Sequence, residues 1–419
     1  EYTDATGIDA GASTNERLTS GVYDGASTVT PTVTEDADAT GTDGDYSWYK
    51  WTDTAATGSY DTDTTQDHEY LIVGGGGSGG EQNGGGGGGG GVLAATGLSL
   101  TGGNEYTVTI GAGGASVGPT AIGNVGGDSI LSGTGISTLT GGGGGYGGDH
   151  SNTGGAGRAT NGNGGGGGYN ANGAAGNGAG FAGGDGIDGA PTNAGGGGAG
   201  AAEVGENGTT AKGGDGGDGV ANDIIETGTN VYYAGGGGGY AENNQGACGA
   251  AGNGGGGAGD LNGGAGADKD GDANTGGGGG GSSGASNASG AGGSGIVILR
   301  RLTAAISGGA DLTLQSTDTT AMTEPDYADM VILMENAEGT ATINTDIKGY
   351  ISEDSGSTFT EGTLVDEGTW GTNKKILAFH DLDISAQSGT SMCYKITTHN
   401  QSEGSKETKI HATSIGWKA

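Results

Sequence analysis

Eight consecutive glycines stand at 84–91, and further runs recur at 141–145, 164–168, 195–198, 235–239, 254–257 and 276–281. Glycine is costly inside a helix and has no side chain to pack in a sheet, so neither ordinary element suits these runs. Their distribution divides the chain. Residues 74–295 hold 91 of the 109 glycines, against 7 in residues 1–73 and 11 in residues 296–419.

Collagen is excluded, because the chain has 4 prolines and the pure glycine runs break a Gly-X-Y period. A flexible linker is a poor fit as well. The glycine segment opens on Glu69-Tyr70-Leu71-Ile72-Val73 and closes on Ile296-Val297-Ile298-Leu299-Arg300, two apolar strand-like runs that disorder has no use for. The remaining regular state is a polyglycine helix of the polyproline-II type, with about 3 residues per turn and about 3.1 Å rise. Its backbone groups point outward in several directions, so neighbouring helices can hydrogen-bond side by side. Runs of four to eight glycines then imply a flat lattice of short helices, roughly ten of them, with loops at both ends.

Three segments follow. Residues 1–68 read as a small β domain, whose Tyr46-Ser47-Trp48-Tyr49-Lys50-Trp51 run carries rings on both faces of a strand. A buried strand accounts for those rings better than a sugar platform. Residues 69–301 form the glycine-rich domain, interrupted by a β island at about 92–140 that includes Glu105-Tyr106-Thr107-Val108-Thr109-Ile110. Residues 302–419 return to ordinary strand-like composition and read as a β-sandwich or jelly roll. The fold class is therefore all-β with a glycine-rich polyglycine-II middle and almost no α-helix. Within the last segment, Ser352-Glu353-Asp354-Ser355-Gly356-Ser357-Thr358-Phe359 is similar to an Asp-box hairpin, in which the Asp caps backbone donors.

The formal net charge is −35, from 49 acidic and 14 basic residues. That excludes a basic footprint for nucleic acid and suits an extracellular setting. No run of 18 apolar residues occurs, so no membrane-spanning helix is expected. The chain starts at Glu1 without a signal-like stretch, which leaves open whether it is processed or partial. Cys248 and Cys393 are too few for a disulfide framework.

Catalytic chemistry finds little support in the residues. The five histidines lack a nucleophile motif, and Gly76-Gly77-Ser78-Gly79-Gly80 imitates a nucleophile elbow only because glycine is so frequent there. Gly-Gly-x-Gly-x-Asp at 183–188, 213–218 and 263–268 resembles the phrase of calcium-binding β-rolls, but the copies are too far apart to stack. The expectation is no cofactor, with a structural calcium ion as the lesser alternative. The unit of five glycines and a tyrosine ends at Tyr146, Tyr169 and Tyr240. With Phe181, these rings are the candidates for receptor contact, and the competing reading makes each a cap over the last glycine layer.

The order of Tyr70-Leu71-Ile72-Val73, polyglycine, Tyr106-Thr107-Val108-Thr109-Ile110, repeated polyglycine and Gly293-Ser294-Gly295-Ile296-Val297-Ile298-Leu299-Arg300 resembles the glycine-rich domain of bacteriophage tail fibres and adhesins. The resemblance covers about residues 69–301. It implies a polyglycine-II sandwich whose loops contact a host-cell surface receptor, either an outer-membrane protein or a glycan. It also implies a homotrimer located in the virion and no enzymatic activity. The alternative from another class is a structural subunit of an extracellular filament or matrix polymer.

Overall fold

The computed structural model describes residues 2–159, 161–189, 193–242, 247–260, 268–283 and 288–419. Its regular elements are all β-strands, and all the sheet pairings are antiparallel. Two compact units emerge: Glu1–Thr30 together with Ala304–Ala419, and Pro31–Thr303. This division differs from the expected boundaries at 68 and 301. No domain of residues 1–68 forms, because the strand Val22–Val29 pairs with Ala305–Gly308 and touches Glu407–Lys418, whereas Val33–Glu35 pairs within the other unit.

In the first unit, period-two alternation does the expected work. Strand Tyr327–Glu338 buries Ala328, Met330, Ile332 and Met334 and turns the residues between them outward. Its sheet runs Glu16–Thr19, Val22–Val29, Glu407–Lys418, Tyr327–Glu338, Lys374–Asp383, Val365–Gly371. A second sheet contains Thr313–Gln315, Ser391–Thr398, Ile347–Ser352 and Thr360–Gly362. Residues of both sheets, among them Ile332, Ile347, Leu377, Ile396 and Ile410, share one apolar core, which makes the unit a β-sandwich. The Asp-box hairpin forms as the sequence suggests. Asp354 accepts the Thr358 N–H at 2.8 Å and Ser352 Oγ accepts the Gly356 N–H at 2.9 Å, with Ser355 and Gly356 at positive φ.

The second unit also begins as two sheets around a shared core. One runs Leu139–Gly141, Ser129–Gly133, Glu105–Thr109, Thr57–Thr62, Val33–Glu35, and the other Ala39–Asp43, Tyr46–Trp51, Ile296–Leu302, Gln66–Val73, Val92–Leu100. Tyr49, Trp51, Tyr60, Tyr106, Val297 and Leu299 lie in that core, so one face of the aromatic run is buried, while Tyr46 and Trp48 on the other face are half-buried. The strands that lead into and out of the glycine segment are direct partners, with Val73 opposite Ile296 and Leu71 opposite Ile298. Their other face packs on Ile224 and Tyr233, and burial on two faces explains their unbroken apolar sequence.

Everything from Gly74 to Gly295 is thus inserted between two neighbouring strands. Its inner run, 74–82, has a three-residue hydrogen-bond period. The N–H groups of Gly74, Gly77 and Gly80 donate to Gly91, Gly88 and Gly85; those of Gly75, Ser78 and Glu81 to Gly127, Asn124 and Ala121; those of Gly76 and Gly79 to Gly293 and Gly290. The carbonyls of Gly75 and Ser78 accept from Gly144 and Gly147, those of Gly77 and Gly80 from Gly279 and Ser282, and that of Gly76 from Gly114. Three neighbours receive and three donate.

The run 84–91 repeats the pattern, bonding to the segments around 74–80, 142–148, 166, 196–199, 237–240 and 276–279. Two runs enclosed on all sides make the assembly thicker than the flat lattice expected from the sequence. A side chain cannot enter. A Cβ at Gly86 would fall far inside contact distance of the Gly237 carbonyl, one at Gly90 of the Gly74 carbonyl, and one at Gly76 of the Gly277 carbonyl. Glycine is required here for close approach on several sides, whatever its φ.

Candidate recognition loops of the glycine lattice

Backbone groups inside the lattice satisfy one another, but a run at its margin lacks neighbours on one side. Short acceptor side chains fill that gap. Asp215 Oδ1 accepts the Ala250 N–H at 2.8 Å, and Asp218 Oδ1 accepts that of Asn253 at 2.9 Å. The two carboxylates are three residues apart and so are their donors, matching the lattice period. Asp185 caps Gly173, Asp270 caps Ala291, Asp128 caps Gly143 and Asn161 caps Gly142 in the same way. These bonds are exposed or half-buried, so water competes for the same donors and each cap contributes about 0.5–1.5 kcal/mol.

This geometry accounts for the calcium-like phrase at 213–218: its carboxylates face backbone donors. In the copy at 183–188, Asp185 does the same. The copy at 263–268 lies almost wholly outside the described residues. Among the described residues, no three His, Cys, Asp or Glu side chains come together as a cage for a metal ion. Ser78, the serine of the elbow-like motif, is fully buried and its Oγ accepts the Asn124 N–H at 2.7 Å.

The four candidate rings occupy different places. Tyr169 and Tyr240 meet the turn between the two inner runs, their N–H groups donating to the carbonyls of Asn83 and Gly84, both at 3.0 Å. His150 joins them there: its N–H reaches the Gln82 carbonyl, and its ring stands edge-on to Tyr169 at 4.4 Å between centroids. Tyr146 lies further along its run, half-buried, with its ring laid over Gly155. Phe181 belongs to the opposite end, where its N–H donates to Asn163 Oδ1 while the Asn163 amide reaches the Gly89 and Gly90 carbonyls.

The rings therefore do not form one constellation. Tyr240 is 1% exposed, and burial pushes its hydroxyl up to about 12, so it covers the lattice and is not a surface contact. Tyr169 and His150 are the accessible pair at the turn end. Sequence reading missed His150 and also Glu81. Glu81 is fully buried, with neither carboxylate oxygen in a well-formed hydrogen bond. Burial pushes its carboxyl up, reinforced by Asp149 and opposed by the Thr120 N–H and Lys269. The sequence signal for the margin caps was present in Gly-Gly-Asp-Gly-Gly-Asp, where acids recur at the lattice period.

No curated protein matches this chain in sequence. A family model for a glycine-rich domain matches residues 52–301, which spans most of the second unit, from the end of the aromatic strand through the exit strand. The match takes in the lattice and most of the bracketing strands but not Val33–Glu35, Ala39–Asp43 and Tyr46–Trp51, and the chain belongs to the glycine-rich domain family.

Proposed function

We propose that the protein is a non-enzymatic attachment fibre, an adhesin of the bacteriophage tail-fibre kind, acting in the virion as a homotrimer. The observation that carries this reading is the separation of roles within the lattice. Its interior is almost entirely backbone bonded to backbone, with Ser78 and Glu81 the buried exceptions on the inner run, and most chemical diversity lies at margins and loops. Such a scaffold holds loops in place while their sequences vary freely, which suits recognition of changing surfaces. The three-residue hydrogen-bond period supports reading the runs as polyglycine-II helices.

The receptor is a bacterial surface protein or glycan, reached from the turn end at Tyr169 and His150. Several weak contacts acting together give firm attachment. The test is adsorption. Purified protein should bind receptor-bearing cells saturably, and replacing both Tyr169 and His150 with Ala should abolish binding while the Tm stays unchanged. Continuous filaments of uniform repeat in negative-stain images, with no cell binding, would favour the filament-subunit alternative.

A further inference from the structure

The solvent face of the larger sheet in the Glu1–Thr30 and Ala304–Ala419 unit carries a row of alternating charge. Arg17 stands opposite Asp24, Lys409 opposite Glu335, and Glu335 opposite Lys374 on the next strand. Arg17 grips Asp24 through Nε and Nη2 at 2.9 and 2.8 Å, while His411 Nε2 lies 2.6 Å and Lys374 Nζ 3.5 Å from Glu335 Oε2. The partly exposed Trp370 ring supports the group, with the Lys374 ammonium 4.6 Å above it and His411 edge-on at 5.0 Å. Both carboxylates are engaged. The Lys409 side chain has no ion pair or hydrogen bond among the described residues, whereas Arg17 is committed to Asp24 and lies in the field of Glu407 and Glu403 as well.

Two adjoining hollows lie along this row. They measure about 490 and 440 Å³ and share Ser20, Val22 and His411. Tyr2 and Thr3 line the first, Arg17, Thr19 and Lys409 the second. Asp24 and Glu335 line the second hollow as well, so its carboxylates and cations balance, and Lys409 is the cation among its lining residues left without a partner, in a chain with only 14 Lys and Arg and a net charge of −35. A long polyanion such as nucleic acid would run out over the acidic remainder of the molecule and be repelled there, whereas a short acidic ligand stays within the two hollows. A neutral sugar would leave that cation unused, and an apolar ligand would desolvate it.

We propose that this groove binds an acidic saccharide, placing a carboxylate or phosphate on Lys409 with Arg17 beside it and sugar hydroxyls against Thr19, Ser20 and Glu335. The site lies in the sandwich unit and stands independently of receptor contact by the lattice loops. Charge-assisted bonds to the ammonium would fix the ligand, and Trp370 would hold the Lys374 and His411 side chains that keep Glu335 in place.

The test titrates the full chain, by calorimetry at 0.1 M salt, with tetragalacturonate, glucose 6-phosphate, maltotetraose and inorganic phosphate. Tetragalacturonate or glucose 6-phosphate should bind, and the one that binds identifies the acidic group. Lys409→Gln should weaken that binding roughly tenfold or more with unchanged Tm, and Lys409→Arg should retain it. The proposal is overturned if neither acidic sugar binds, if maltotetraose binds as well, or if inorganic phosphate matches glucose 6-phosphate. Unchanged affinity in Lys409→Gln would overturn it equally.

Discussion

The sandwich unit and the glycine lattice reach order by opposite means. In the sandwich, the backbone ladders are standard and side chains decide the structure: Met330, Ile332, Leu377, Ile396 and Ile410 meet in one core. In the lattice, the interior has almost no side chains, and the backbone supplies both the contacts and the specificity. Ordering a residue costs roughly 1–2 kcal/mol in either region. The sandwich offsets that cost with apolar burial, whereas the lattice offsets it with hydrogen bonds in six directions at close approach. An interior can therefore be specified by what is left out, and the sensitivities of the two regions should invert.

That inversion can be broken by substitution. The largest effect is expected for Gly86→Ala, where one methyl group meets the Gly237 carbonyl with no room to relax. A loss above about 4 kcal/mol, or failure to fold, should appear in chemical denaturation. Gly7→Ala is the control, because a Cβ there meets nothing within 4 Å, and its stability should be unchanged. In the sandwich the opposite operation is damaging. Ile332→Ala removes a fully buried side chain and should cost about 2–5 kcal/mol in the same measurement.

Smaller effects sharpen the contrast at the lattice margin. Asp215→Ala leaves the exposed Ala250 N–H to water and should cost about 0.5–1.5 kcal/mol, while Asp215→Asn, which retains an acceptor oxygen, should cost less.

Titration separates the regions once more. The Glu81 carboxyl in the lattice is pushed up by burial, so the folded state holds its proton more tightly than the unfolded chain. Its contribution to stability falls as pH rises from about 4.5 through its folded pKa, and Glu81→Gln should raise the Tm at pH 7 and flatten that dependence. Asp346 in the sandwich is held far below the usual carboxylate range by Lys406 Nζ at 2.7 Å, with the Thr342 N–H and Asn400 amide adding to it. Its contribution is complete above about pH 4 and is lost on acidification, so Asp346→Asn should reduce the Tm at pH 7 and leave less to lose in acid.

Much of this architecture is written in local sequence. The apolar runs at 70–73, 296–299 and 330–334 announce three strands, and the polar–apolar alternation of Glu105–Thr109 gives both period and face, whereas the face that Tyr327–Glu338 buries is not legible in its continuous apolar centre. Pairings between distant parts are not written there. Nothing in residues 22–29 indicates that they join Ala305–Gly308 rather than the aromatic strand nearby, because register between remote strands depends on the assembled core. The same limit hid the site. Tyr146, Tyr169 and Tyr240 follow identical glycine runs, yet Tyr240 is sealed and Tyr169 is only half-buried beside His150, since burial depends on which runs surround each one. Lys409 and Arg17 are nearly 400 positions apart, and only the sheet brings them to one groove.

The central claim is that a glycine interior almost devoid of side chains is an ordered hydrogen-bonded solid. Amide hydrogen exchange of the peptide spanning residues 74–91, followed by mass spectrometry, tests it most directly. Protection comparable to that of strand Tyr327–Glu338, persisting for hours, is the predicted result. Complete exchange within seconds, as for a free polyglycine chain, would contradict the account.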